Sequence, residues 1–120
     1  MEFNQQNDSN NSIVSIDNDI VILSHATVLI PCFISSNHHT ITSGLTLEKL
    51  NKITLFPLSS KDDIDLLIIG TGKTGKFLNP QLQIAIQQMG IGVESMSNKS
   101  ACRSFNLLLS DARLVGLLLL

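Results

Sequence analysis

The sequence predicts one small α/β domain, an N-terminal antiparallel β-meander followed by a β-α-β-α-β unit with a mostly parallel sheet, in three layers. Three observations carry that expectation. Short β-branched runs separated by turn residues fill the stretch 13–30. The continuous aliphatic run Leu66-Leu67-Ile68-Ile69 has the character of a strand buried on both faces. Two helical stripes then alternate with strand-like runs as far as residue 120. A chain of 120 residues falls within the usual size of one domain and can bury a core without staples, so the domain is assigned to 13–120.

Residues 1–12 are rich in Asn, Gln, Ser and Asp, which compete with regular backbone hydrogen bonding and bury little, so a disordered tail is expected there. Ile13-Val14-Ser15-Ile16, Ile20-Val21-Ile22-Leu23 and the run 26–30 form the meander, broken by Asp17-Asn18-Asp19 and Ser24-His25. Pro31, the Ser35-Ser36-Asn37 cluster and Gly44 mark 31–44 as a loop, with one extended piece at 40–42. Leu45, Leu47, Leu50 and Ile53 give a short helical stripe, with Thr46 as its N-cap. After the buried strand, Asn79-Pro80 starts a helix with Leu82, Ile86 and Met89 on one face and Gly90 as its left-handed cap. A strand at 91–96 follows, then a helix capped by Ser97 or Asn98 with Ala101, Phe105 and Leu108 on its inner face, then a last strand at 113–120. Right-handed crossovers make the last three strands parallel neighbours.

Composition narrows the function classes. An apolar fraction of 43% with only 15% charged residues describes a globular chain with an aliphatic core. Trp and Tyr are absent and the net charge is −2, which argues against a nucleic-acid partner. Cys32 and Cys102 form no C-x-x-C pair and follow no secretory signal, so reduced thiols in a bacterial-type cytoplasm are expected. The first residues have neither the Arg-rich character of a transit peptide nor an apolar leader. The apolar tract 107–120 is interrupted by Asp111 and Arg113, so no transmembrane span of ~20 residues is expected.

The motif that most resembles a site is Gly70-Thr71-Gly72-Lys73-Thr74-Gly75, a G-x-G-x-x-G directly after the buried strand, with Glu94 downstream. A dinucleotide turn requires the helix to begin inside the glycines, so that its amides meet the pyrophosphate. Here the helix begins only at Pro80, and a solvated structural turn is the plainer expectation. The stretch also reads as G-x-x-x-x-G-K ending at Lys76, a near miss to a phosphate loop in which Phe77 stands where magnesium needs a hydroxyl. Gly70, Gly72, Lys73, Gly75 and Lys76, with Arg103 and Asn106, are therefore the candidate anion-binding residues, and no cofactor or metal is expected. His25, His38 and His39 do not converge, because adjacent residues of a strand point to opposite faces. Cys102 lies near a helix start beside Arg103 but has no local base, so a packed side chain is expected. Glu94, Asp111, Arg103 and Arg113 are read as structural ion-pair formers.

Four segments in order carry a family resemblance: Leu67-Ile68-Ile69-Gly70-Thr71-Gly72, Gly90-Ile91-Gly92-Val93-Glu94-Ser95-Met96, Ala101-Cys102-Arg103-Ser104-Phe105-Asn106-Leu107-Leu108, and Asp111-x-Arg113-x-Val115. Together they resemble a domain-of-unknown-function family first defined structurally on a methanogen hypothetical protein, whose members include mitochondrial respiratory complex I assembly factor three. Ser97, Ser104-Phe105 and Asp111 replace the Thr, Thr-Tyr and Glu common in that pattern, conservative changes that keep the fold. The resemblance implies a compact α/β fold, no established catalysis, and work through a protein partner.

The function expected is thus a non-enzymatic accessory or assembly-type protein acting through an unidentified protein partner or self-association. The alternative is a small anion- or nucleotide-binding module built on the loop 70–76. The terminal Leu117-Leu118-Leu119-Leu120, apolar on both faces, either meets another subunit or is covered by the domain's own helices.

Overall fold

The computed structural model describes residues 10–120. Its elements run β1 (Ile13–Ile16), β2 (Ile20–Leu23), β3 (Thr27–Leu29), β4 (Cys32–Ser35), β5 (His39–Ile41), α1 (Lys52–Ser59), β6 (Leu66–Gly70), α2 (Pro80–Gln88), β7 (Gly92–Met96), α3 (Asn98–Ser110) and β8 (Val115–Leu119). The meander β1-β2-β3 forms its own antiparallel sheet, as its turn spacing predicts. The second sheet has the order β5-β4-β8-β6-β7. In it β6 pairs in parallel with both β7 and β8, so the three predicted parallel neighbours are present with β6 in the middle.

Side chains on this sheet alternate between two cores, as a period of two requires. Ile34, Ile68, Leu117 and Leu119 face the meander and the inner face of α3, where Ala101, Cys102, Phe105 and Leu109 are buried. Phe33, Leu67, Ile69 and Leu118 face the opposite core with Leu55 and Leu58 of α1 and Leu82 and Ile86 of α2. Three layers result. Leu117, Leu118 and Leu119 are wholly buried between β4 and β6, so this strand is covered by its own domain and offers no subunit contact. Full burial of each such side chain contributes about 1.5–3 kcal/mol.

The stretch 31–44 departs from the expected loop. Cys32–Ser35 is a central strand, paired antiparallel with β8 from Cys32↔Leu119 to Ser35↔Gly116 and with β5 on its other side. Its buried end is polar yet satisfied, because the Ser35 hydroxyl donates to Asp62 Oδ2 at 2.6 Å.

The helix expected on the 45–53 stripe also moves. Leu47–Lys49 makes only a 3-10 turn, Thr46 forms no side-chain cap, and α1 starts after Asn51. There Asn51 Oδ1 accepts from the Thr54 amide at 2.9 Å, and Thr54 Oγ1 accepts from the Asn51 amide at 3.0 Å, a reciprocal cap that satisfies two helix-start donors. Pro57 lies inside α1 and leaves the Ile53 carbonyl without its helical donor, on the side of the helix where Ile53 is exposed.

At α2, Asn79 caps the Leu82 amide at 2.7 Å with Pro80 in the first turn, as expected, and Gly90 takes φ +79° just past the helix end. Of the two caps left open for α3, Ser97 is the one, accepting from the Ser100 amide. Of the polar stretch 1–12, residues 1–9 lie outside the described residues. Asn11 and Ser12 are buried, and Asn11 Nδ2 donates to the Ser35 and His38 carbonyls, both at 3.1 Å, so these two residues are fixed parts of the fold.

Candidate functional site

The strands β6, β7 and β8 end on the same side of the sheet, at Gly70, Met96 and Leu119. The crossover through α2 carries the chain from β6 to β7 over one face. The crossover through α3 returns it past β6 to β8 over the other. Connections diverging from one strand leave a crevice at its carboxyl end, the usual ligand position in open α/β sheets. A cleft of about 570 Å³ lies there, lined by Gly72 and Lys73 after β6, Asn98 and Lys99 in the first turn of α3, and Asp17 and Asn18 between β1 and β2. Lys99 belongs to no motif in the sequence and joins the cleft only once α3 is folded back over β6.

The glycine loop itself is stitched to the start of α3. The Gly72 amide donates to Asn98 Oδ1 at 3.0 Å, and the Gly72 carbonyl accepts from the Asn98 amide at 2.8 Å. The Thr71 amide donates to the Met96 carbonyl at 2.9 Å, the Thr71 hydroxyl accepts from the Lys76 amide at 2.9 Å, and the Ser95 hydroxyl donates to the Lys76 carbonyl at 2.7 Å. These bonds occupy several of the donors that a phosphate cradle would aim at a ligand. Gly72 has φ +102°, a conformation that disfavours side chains, whereas Gly70 is needed for space, since a Cβ there would strike Asn98 Oδ1 and Leu119.

The candidate residues therefore separate. Gly72 and Lys73 line the cleft; Gly70 ends β6 beneath Asn98; Gly75 lies against the Met96–Ser97 backbone. Lys76 turns to a smaller cavity of about 200 Å³ shared with Thr71 and Glu48. Arg103 is on the exposed face of α3. Asn106 is buried, and its amide grips β1: Oδ1 accepts from the Ile13 amide at 2.8 Å and Nδ2 donates to the Ile13 carbonyl at 2.9 Å.

Elsewhere Asp62 collects the Ser35 hydroxyl, the Asn37 amide at 2.9 Å and His38 Nδ1 at 3.0 Å. Burial pushes its carboxyl up, but the bonds from Ser35, Asn37 and His38 outweigh burial and hold it below its usual value. The carboxylate stands between serine and imidazole, so the imidazole cannot take the serine proton, and the cluster ties the β4–β5 turn to the segment after α1. Burial pushes both Cys32 and Cys102 up to about 12, and each thiol is packed in the core. Arg113 pairs with Asp65 at 3.9 Å across the start of β6. Among the described residues no three His, Cys, Asp or Glu side chains gather as metal ligands, and no helix is long and apolar enough to cross a membrane.

These features define a class of α/β domain in which a β-meander and one helix cover one face of a mixed sheet, two helices cover the other, and a cleft opens at the carboxyl ends of its parallel strands. The chain belongs to the family described as "Protein of unknown function (DUF498/DUF598)", whose model matches residues 6–120, as the four-segment resemblance implied. A mouse relative is named NADH dehydrogenase [ubiquinone] 1 alpha subcomplex assembly factor 3. It is 38% identical over 53 residues, 44% of this chain and 29% of its own. An uncharacterized protein of Rhodobacter capsulatus is 42% identical over 57 residues, 48% of this chain and 46% of its own. This chain thus spans less than half the length of either relative. A crystal structure of a Bordetella parapertussis protein superposes with TM-score 0.82 at 19% identity, over 93% of this chain and 96% of that one, and shares the fold.

Proposed function

We propose that this chain is a non-enzymatic accessory domain of assembly type that acts by binding another protein. One observation carries the reading: α1 is apolar on two sides. Leu55 and Leu58 enter the core, yet Ile53 and Phe56 are 83% and 64% exposed on the other side. A helix apolar all round is ordinarily covered all round, and large exposed apolar residues grouped on one element mark a protein contact. The name of the mouse relative, an assembly factor, supports a role of this kind. The test is affinity capture with the wild-type chain and with Ile53→Asp and Phe56→Asp, whose side chains leave the core untouched. Loss of one specific co-purifying protein at unchanged melting temperature is the expected result, and identical capture by all three proteins defeats the reading.

A second reading rests on the cleft, where Lys73 and Lys99 approach from different segments beside Gly72. A small anionic ligand held there would raise the melting temperature, because it binds only the folded chain. The Lys73→Ala and Lys99→Ala variants should each remove that shift, and a flat response to phosphates, nucleotides and carboxylates ends this reading.

A further inference from the structure

We propose that the cleft at the carboxyl ends of the parallel strands binds a nucleoside 5′-monophosphate. This rests on the anion-binding reading above and names the ligand of that same site. Three separate segments build the cleft: Asp17 and Asn18 in the turn between β1 and β2, Gly72 and Lys73 after β6, and Asn98 and Lys99 at the start of α3. Ile16 and Leu120 supply its apolar surface. Its volume of about 570 Å³ falls in the usual range for small-molecule and cofactor sites.

Lys73 and Lys99 select the anionic part. The chain carries more acidic than basic side chains, yet among the described residues neither ammonium forms an ion pair or a hydrogen bond with the chain. A phosphate monoester carries about −1.5 to −2 charges at pH 7, which the two ammonium groups match. The Thr71, Gly72 and Lys76 amides are bonded within the chain, so the phosphate is met by side chains rather than by a cradle of loop amides.

Asp17 decides what the phosphate is attached to. Its carboxylate sets a negative charge in the same cleft, which opposes a bare phosphate or a dicarboxylate. One carboxylate oxygen accepts from the Asn18 amide at 2.7 Å, leaving the other for a donor on the ligand. In α/β sheets that hold nucleotides at such a crevice, a carboxylate commonly accepts from a ribose hydroxyl. A small phosphorylated amine would satisfy Lys73, Lys99 and Asp17 but leave Ile16, Leu120 and much of the cleft unfilled. A base carried on ribose lays its face on these two aliphatic side chains and offers its edge to the Asn18 side-chain amide.

The test is isothermal titration of the full chain with the common ribonucleoside 5′-monophosphates, with the 2′,3′-dideoxy form of the tightest of them, with inorganic phosphate and with O-phosphoserine. The best nucleotide should bind at least about tenfold more tightly than its dideoxy form, phosphate or O-phosphoserine. Asp17→Asn should remove the advantage of the nucleotide over its dideoxy form, yet bind inorganic phosphate no more weakly, because a repelling charge is gone. Lys73→Ala and Lys99→Ala should each weaken nucleotide and phosphate together by about tenfold. Equal affinity for nucleotide and inorganic phosphate, or O-phosphoserine as the tightest ligand, overturns the nucleotide assignment, while loss of that binding in the lysine variants keeps the anion reading. No binding by any of these compounds overturns the assignment as well, and a carboxylate that then raises the melting temperature only while both lysines are present keeps the anion reading alone.

Discussion

Asn106→Ala removes the two hydrogen bonds that join α3 to the first residue of β1, which lies 93 positions away in sequence. Both Ile13 backbone groups are buried at that point and Ile13 itself is fully inaccessible, so water cannot take over the lost partner without opening the meander. An unsatisfied buried polar group costs about 1–3 kcal/mol, which for two groups with partial relaxation comes to about 2–5 kcal/mol. The unfolding entropy of a domain this size, ~2.1 cal/mol/K per residue, makes 1 kcal/mol worth about 4 °C, so the melting temperature should fall by about 8–20 °C. Asn106→Asp keeps an acceptor for the Ile13 amide but sets a carboxylate oxygen against the Ile13 carbonyl, and should also be destabilised. Urea denaturation with linear extrapolation, alongside calorimetry, measures both variants. A change below about 0.5 kcal/mol for Asn106→Ala would refute the assignment of this residue to holding the meander. Normal stability with a lost ligand response would instead return Asn106 to the anion-binding set.

Gly70→Ala should destabilise by about 1–3 kcal/mol through collision with Asn98 and Leu119, whereas Gly72→Ala meets no atom and should lose about 1–2 kcal/mol of stability to the strain of a side chain at positive φ; thermal melts measure both, and an unchanged melting temperature for either variant would contradict its cause. Because the folded chain holds the Asp62 carboxyl below its usual value, its contribution is complete above the unfolded value near 3.9 and is lost as pH falls through the lower folded value. Asp62→Asn should therefore flatten the acid limb of the stability profile, and urea melts at pH 7, 4 and 3 that fall in parallel for both proteins would contradict this. With both thiols buried and pushed up to about 12, native protein at about pH 8 should not react with a disulfide reagent, and both cysteines should react together on unfolding. Rapid labelling of either thiol in the native state would show that its burial is wrong.

The elements that could be read from sequence are those whose signal is local. Leu66 to Ile69 is apolar without a break, Asn79-Pro80 joins a cap to a residue suited to the first helical turn, and the turns of the meander fall where its polar residues do. β4 escapes because its apolar run, Cys32-Phe33-Ile34, is three residues long between a proline and a serine cluster. Its central place comes from pairing with β8, more than 80 residues on, and from Asp62, which satisfies the buried Ser35. The start of α1 did carry a local signal, the Asn51 and Thr54 pair, but Pro57 three residues later speaks against a helix until its outer side is known to be open.

The site is less legible than the fold for a related reason. The glycine pattern announces a tight turn after a strand, which is present, but whether its amides face a ligand or Asn98 is decided by where α3 returns. In sequence Ile53 is one more residue of an apolar stripe. A stripe says that a helix has an apolar side, and in α1 there are two such sides; Leu55 and Leu58 beneath the sheet assign Ile53 and Phe56 to the outside. The surface on which the association reading rests thus exists only as the remainder after core packing, and a sequence pattern that counts apolar residues alike enters it as core.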